Sequence, residues 1–175
     1  MKSNPKKTPN SKTDLTHKDS KEKTVSANHM VELTVTNNLG EDLIPKQDYN
    51  WFDSGGMKTT QSSIINGYAS TVLFQETDYL KGCSGYIVYA GIQSGILLFI
   101  AFSNPCVGKN KLGVNDLYST DRNEISANGQ ALWEKMSDHD YKPFQVFLAF
   151  YKSTIANCQC SGGKTNVAKV NLVHG

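Results

Sequence analysis

Residues 82–105 read GCSGYIVYAGIQSGILLFIAFSNP, and no charged side chain occurs between Gly85 and Phe102. Such a run either crosses a membrane as a helix or lies inside a folded core. A spanning helix needs about 20 predominantly apolar residues. Here the run is cut by Gly91-Ile92-Gln93-Ser94-Gly95, which carries two glycines and two polar side chains. The flanks are β-branched and aromatic: Tyr86, Ile87, Val88 and Tyr89 before the cut, Ile96, Phe99, Ile100 and Phe102 after it. That pattern predicts a β-hairpin closed by a glycine-containing loop. Ile96 to Phe102 is apolar at consecutive positions, so both faces of that strand are expected to be buried. Ser103-Asn104-Pro105 ends it, because proline has no N–H to give to a ladder. The chain is expected to be a soluble β protein with this hairpin at its centre.

The rest of the domain reads as further strands. Val31, Leu33 and Val35 alternate with polar residues, and Asn38-Leu39-Gly40 supplies a turn. Strands are expected over 49–52, 62–65, 68–74, 114–118, 144–151 and 167–173, with a polar loop over 106–113. Ser126 to Met136 is the best helix candidate, with Ser126 or Asn128 to cap it and Leu132 and Met136 at i, i+4. Many strands at about ten-residue spacing predict an all-β sandwich or barrel.

Residues 1–29 differ from everything after them. They hold seven lysines against three acids, a net +4, whereas residues 30–175 carry 11 basic and 13 acidic groups, a net −2. The tail has almost nothing to bury and is expected to be a disordered, solubilising segment ahead of one domain at 30–175. A sharper reading, weak attraction of its lysines to anionic lipid or nucleic acid, is weakened by the interspersed acids and the lack of arginine. No nucleic-acid partner is expected. The basic start is not followed by an apolar core of the signal-peptide kind.

Several fragments imitate catalytic motifs. Asp53-Ser54-Gly55-Gly56 echoes a serine-protease nucleophile loop, but the only histidines before it are His17 and His29, so it reads as a turn. Gly163-Lys164-Thr165 imitates the end of a phosphate-binding loop. Cys158 stands where that motif needs glycine, and the following residues alternate like a strand. The four cysteines, 83, 106, 158 and 160, lack zinc-site spacing and read as idle thiols, although Cys158 or Cys160 could bridge to Cys83 or Cys106. Asp138-His139-Asp140 reads as a surface turn. No catalytic constellation emerges, so the chain reads as a non-enzyme with no metal or cofactor.

Gly82-Cys83-Ser84-Gly85-Tyr86-Ile87-Val88-Tyr89, a short loop, then Leu98 to Phe102 and Ser103-Asn104-Pro105 resemble the central hairpin of the actinoporins and their relatives. Around it stand Asn37-Asn38-Leu39-Gly40, an aromatic pair before Ser54-Gly55, Ile65-Asn66-Gly67, Leu117-Tyr118, Trp133-Glu134, Pro143-Phe144 and the closing Val173-His174. Each motif is short; their order and spacing carry the resemblance, over residues 31–174. It implies the β-sandwich of the cytolysin and fungal-lectin superfamily, with one or two short flanking helices.

In the cytolysins a shallow pocket of small polar groups, a proline and tyrosines holds the phosphocholine head group of sphingomyelin. A desolvated cation over aromatic faces gains about 2 kcal/mol or more. By resemblance Ser54, Ser84, Ser103 and Pro105 fall on or beside pocket positions, and Trp133 stands for the first helix tyrosine. The next two tyrosine positions are Ser137 and Asp138, and the loop after Pro105 has no aromatic residue. The integrin-type tripeptide of some members is also absent. Pore-forming relatives carry an N-terminal amphipathic helix, and residues 1–29 hold no apolar stripe for one. The resemblance implies a secreted membrane-binding cytolysin that acts at a target cell membrane and forms a cation-permeable homo-oligomeric pore. The alternative is a non-lytic module on the same sandwich that binds a cell-surface glycan or a protein.

Overall fold

The computed structural model describes residues 29–117, 125, 128–136, 143–151 and 153–174. Expectations for residues 1–28, Tyr118, Ser126, Ser137 and the 138–140 turn lie outside them. The strands are β1 Met30–Asn38, β2 Leu43–Pro45, β3 Trp51–Ser54, β4 Gly56–Met57, β5 Ala69–Gln75, β6 Cys83–Gly91, β7 Leu97–Asn104, β8 Lys111–Leu117, β9 Phe144–Leu148, β10 Thr154–Gln159 and β11 Thr165–His174. One helix, α1 Gly129–Met136, and a short 3-10 turn at Gln47–Tyr49 complete the described elements.

They form two sheets. A six-stranded sheet runs β4-β5-β1-β11-β10-β9, and a five-stranded one runs β2-β6-β7-β8 with β3 also paired to β6. β1 and β11 pair in parallel from Met30↔Thr165 to Asn38↔Val173, which joins the two ends of the domain at the middle of the first sheet. The architecture is the expected sandwich.

The central hairpin is β6 and β7, in register from Cys83↔Asn104 to Ala90↔Leu97. Every residue of both strands is buried. Strand alternation sends the two sets of side chains to opposite faces. Cys83, Ile87, Tyr89, Leu98, Ile100 and Phe102 face the other sheet, where they join Val31, Leu33, Val35, Phe74, Val170 and Leu172 in the sandwich core. Tyr86, Val88, Ala90, Leu97, Phe99 and Ala101 point the other way, under Ile125, Trp51, Leu132 and Trp133. This second layer explains why the hairpin sequence has no polar face.

Some expected elements differ in extent. Residues 62–65 form no strand; Ile64 alone bridges Leu43. The strand expected to end at Tyr151 stops at Leu148, because the backbone N–H groups of Ala149, Phe150 and Tyr151 turn inward to the Asp116 carboxylate. β8 begins at Lys111, so the preceding loop is shorter than expected. α1 begins at Gly129, with Leu132 N–H donating to Asn128 C=O. A β-carbon on Gly129 would lie 2.5 Å from Trp51 Cδ1, so this helix can approach β3 only with glycine there.

Candidate functional site

β3, β6 and β7 place three serines in one row. Ser54 is opposite Ser84, and Ser84 is opposite Ser103. Direct partners in an antiparallel ladder point to the same side, so the row continues the layer of Tyr86 and Ala101 beneath α1. Ser54 Oγ and Ser84 Oγ are 3.0 Å apart, and Ser84 Oγ donates to Asp53 Oδ2 at 3.2 Å. Ser84 and Ser103 are 5% and 4% exposed, so they form a floor, while Ser54 and Asp53 reach solvent.

Trp133 adjoins this row from above. Its indole Nε1–H donates to the Phe102 carbonyl at 3.1 Å, one residue before Ser103. Its ring lies 6.3 Å from that of Trp51, which stacks on Tyr86 at 5.9 Å. Both indoles are half-buried. Tyr86 is fully buried, burial pushes its phenol up to about 12, and its hydroxyl has no partner among the described residues. Pro105 stands outside the row, one residue past β7, in a turn packed against Gly82. Gly82 takes φ +77°, and a β-carbon there would lie 2.8 Å from Pro105 Cα, so the turn depends on glycine.

The same end of the sandwich carries the loops 76–82 and 105–110. They expose Tyr79 at 64%, Leu80 at 65% and Val107 at 91%. Leu80 holds φ +63°, an uncommon conformation for a branched residue that presents it at the loop tip. Beneath these tips His29, Glu76 and Cys106 meet. Burial pushes the Glu76 carboxyl up, but hydrogen bonds from His29, Gly82 and Cys106 outweigh it and hold it at about 2.

Trp51, Tyr86 and Asp53 were not among the residues selected from sequence, nor were Tyr79, Leu80 and the His29–Glu76–Cys106 group. Of these, only Trp51 has a sign in the sequence, as part of the aromatic pair before Ser54. The rest depends on strand pairing and on loops far apart in the chain. All four cysteines are free thiols, so none of the candidate bridges forms.

No protein-family model matches the chain, and no curated protein matches it. Solved structures do. The lipid-binding protein Nakanori is similar with a TM-score of 0.68 and 17% identity, over 85% of this chain and 72% of its own. The wild-type Xerocomus chrysenteron lectin XCL gives 0.58 and 13% identity, over 82% of this chain and 98% of its own. The chain shares the β-sandwich fold of these two structures. At these identities the likeness speaks to architecture, and ligand chemistry has to come from the residues themselves.

The two sheet faces differ in that chemistry. The outer face of the six-stranded sheet bears a groove of about 700 Å³ lined in part by Gln145, Asn157, Gln159, Lys169 and Asn171. Gln145 Nε2 donates to Asn157 Oδ1 at 2.7 Å. No helix among the described residues is long and apolar enough to cross a membrane.

Proposed function

We propose that this protein is a non-enzymatic membrane-binding module that reads a phosphocholine-type head group, as on sphingomyelin, with the end of the sandwich that carries Ser54, Ser84, Ser103, Pro105 and Trp133. The observation that carries the reading is the pairing of that row with the exposed Tyr79, Leu80 and Val107 on adjoining loops. Aromatic and apolar side chains at loop tips partition into the interfacial layer of a bilayer. Tyr79 supplies an aromatic ring that the loop after Pro105 lacks. The half-buried faces of Trp51 and Trp133 offer the quaternary ammonium its cation–π contacts, and Ser54 with the floor serines offers hydroxyls to the phosphate. By resemblance the protein is secreted, acts at a target cell membrane and assembles there into a pore.

A cell-surface glycan is the second reading. The amide-rich groove on the six-stranded sheet favours it, because carboxamides match sugar hydroxyls as both donors and acceptors.

Sedimentation of the purified chain with vesicles that contain or lack sphingomyelin, with dye release read from the same tubes, tests the proposal. Sphingomyelin-dependent co-sedimentation is expected; leakage in the same tubes extends it to a cytolysin, and binding without leakage limits it to a head-group reader. No binding to either vesicle would overturn the lipid reading and put the glycan first.

A further inference from the structure

His29, Glu76 and Cys106 come from three places in the chain, the first two 47 positions apart and the last two 30. The strand ladders bring them together at the rim of the sandwich. His29 precedes β1, Glu76 follows β5, and Cys106 follows β7, close to where Met30 pairs with Gln75 and Cys83 with Asn104. The His29 imidazole Nδ1 is 3.0 Å from Glu76 Oε2 and 3.4 Å from Cys106 Sγ, and the Cys106 thiol donates to Glu76 Oε1 at 3.4 Å.

We infer that this triangle is a zinc-class metal site, with His29 Nδ1, a Glu76 carboxylate oxygen and the Cys106 thiolate as ligands and water in the fourth position. Zinc bonds to nitrogen, oxygen and sulfur of about 2.0–2.3 Å put the ligand atoms of a tetrahedral site about 3.4–3.6 Å apart. The three contacts are already near those lengths, and all three donor atoms lie within 4.8 Å of one another. Small outward shifts of the side chains admit an ion. A mixed imidazole, carboxylate and thiolate set suits zinc better than calcium or magnesium, which take oxygen ligands.

The carboxylate is also positioned without help from a metal. Gly82 N–H donates to Oε1 at 3.3 Å and His29 N–H to Oε2 at 3.5 Å, while Glu76 N–H donates to the His29 carbonyl at 2.9 Å. Such outer contacts fix a ligand's orientation before the ion arrives. The Glu76 side chain is 3% exposed and that of His29 is 19%, so the carboxylate lies at the base and the imidazole nearer the solvent. Binding displaces the thiol proton and breaks the His29–Glu76 hydrogen bond. Its structural effect is to tie residue 29, the loop 76–82 and the loop 105–110 into one unit beside the serine row. This inference is independent of the lipid reading.

The test is zinc titration of the full chain against a chromophoric chelator, repeated with cobalt as a spectroscopic probe. The expected result is one ion per chain, a sulfur-to-cobalt charge-transfer band, and visible bands of tetrahedral cobalt. Cys106→Ser should abolish the charge-transfer band, and His29→Ala should weaken zinc binding tenfold or more. Each variant removes a hydrogen-bond partner of the buried Glu76 carboxylate, so the effect of zinc on each is read against its own metal-free unfolding midpoint. Zinc should raise the midpoint of the parent and leave that of Cys106→Ser unmoved. Absence of stoichiometric binding, or binding unchanged in both variants, would overturn the assignment.

Discussion

Asp116 is 2% exposed, and among the described residues its carboxylate is in no salt bridge; backbone N–H groups meet it instead. Ala149, Phe150 and Tyr151 donate their N–H groups to it at 2.8, 2.6 and 2.9 Å. Hydrogen bonds to a charged group contribute about 1.5–3 kcal/mol each, and donors left without a partner cost comparably unless water replaces it. Asp116→Ala should therefore destabilise the domain by about 3 kcal/mol, seen as a lower urea midpoint at unchanged slope. A change within about 0.5 kcal/mol, the range of ordinary surface substitutions, would show that the turn satisfies itself another way. The same residue marks a limit of sequence reading. The alternation of Phe144, Val146, Leu148 and Phe150 points to a strand through residue 151, and nothing local signals that an aspartate more than thirty residues earlier draws the backbone out of the ladder.

The central hairpin is the element most legible in the sequence, because consecutive apolar residues are needed when both faces are covered. β10 was not legible. Its core-facing positions are Thr154, Ala156 and Cys158, small or polar side chains that give no hydrophobic alternation, and only pairing with β9 and β11 makes it a strand. β2 was missed for its brevity and its proline. Ser54, Ser84 and Ser103 are marked in the sequence one by one, by the resemblance alone. That they form a row, and that Trp51 stacks on Tyr86 beside it, depends on register between separate strands. The hairpin loop itself is held by Glu41, which is 8% exposed and accepts from the N–H groups of Gln93 and Ser94 at 2.7 and 3.0 Å. Burial pushes its carboxyl up, but the hydrogen bonds from Ser94, Gln93 and Tyr151 outweigh that and bring it below its ordinary 4.5. A carboxyl with a depressed folded value stabilises fully above its unfolded value and loses that contribution as pH falls through the folded one. Glu41→Gln should thus lower the unfolding midpoint most near neutrality, and the gap to the parent should close progressively below about pH 4.5. A gap that stays constant into acid would mean the charge of Glu41 contributes nothing.

At the scale of the whole molecule, the two ends of the sandwich are the surfaces in competition. Both expose apolar side chains: Tyr79, Leu80 and Val107 at one, Ile65, Tyr68 and Ile92 at the other. Only the first adjoins the serine row, Pro105 and Trp133. The account therefore predicts that membrane affinity is polar along the long axis of the domain, and a pair of matched substitutions tests this most directly. Leu80→Asp and Ile92→Asp each place a charge at a tip that is 65% or 58% exposed, so neither should perturb the core. Partition onto sphingomyelin vesicles should fall tenfold or more for Leu80→Asp and stay at the parental level for Ile92→Asp. Equal partition of the two variants, or loss with Ile92→Asp alone, would contradict the placement of the head-group site.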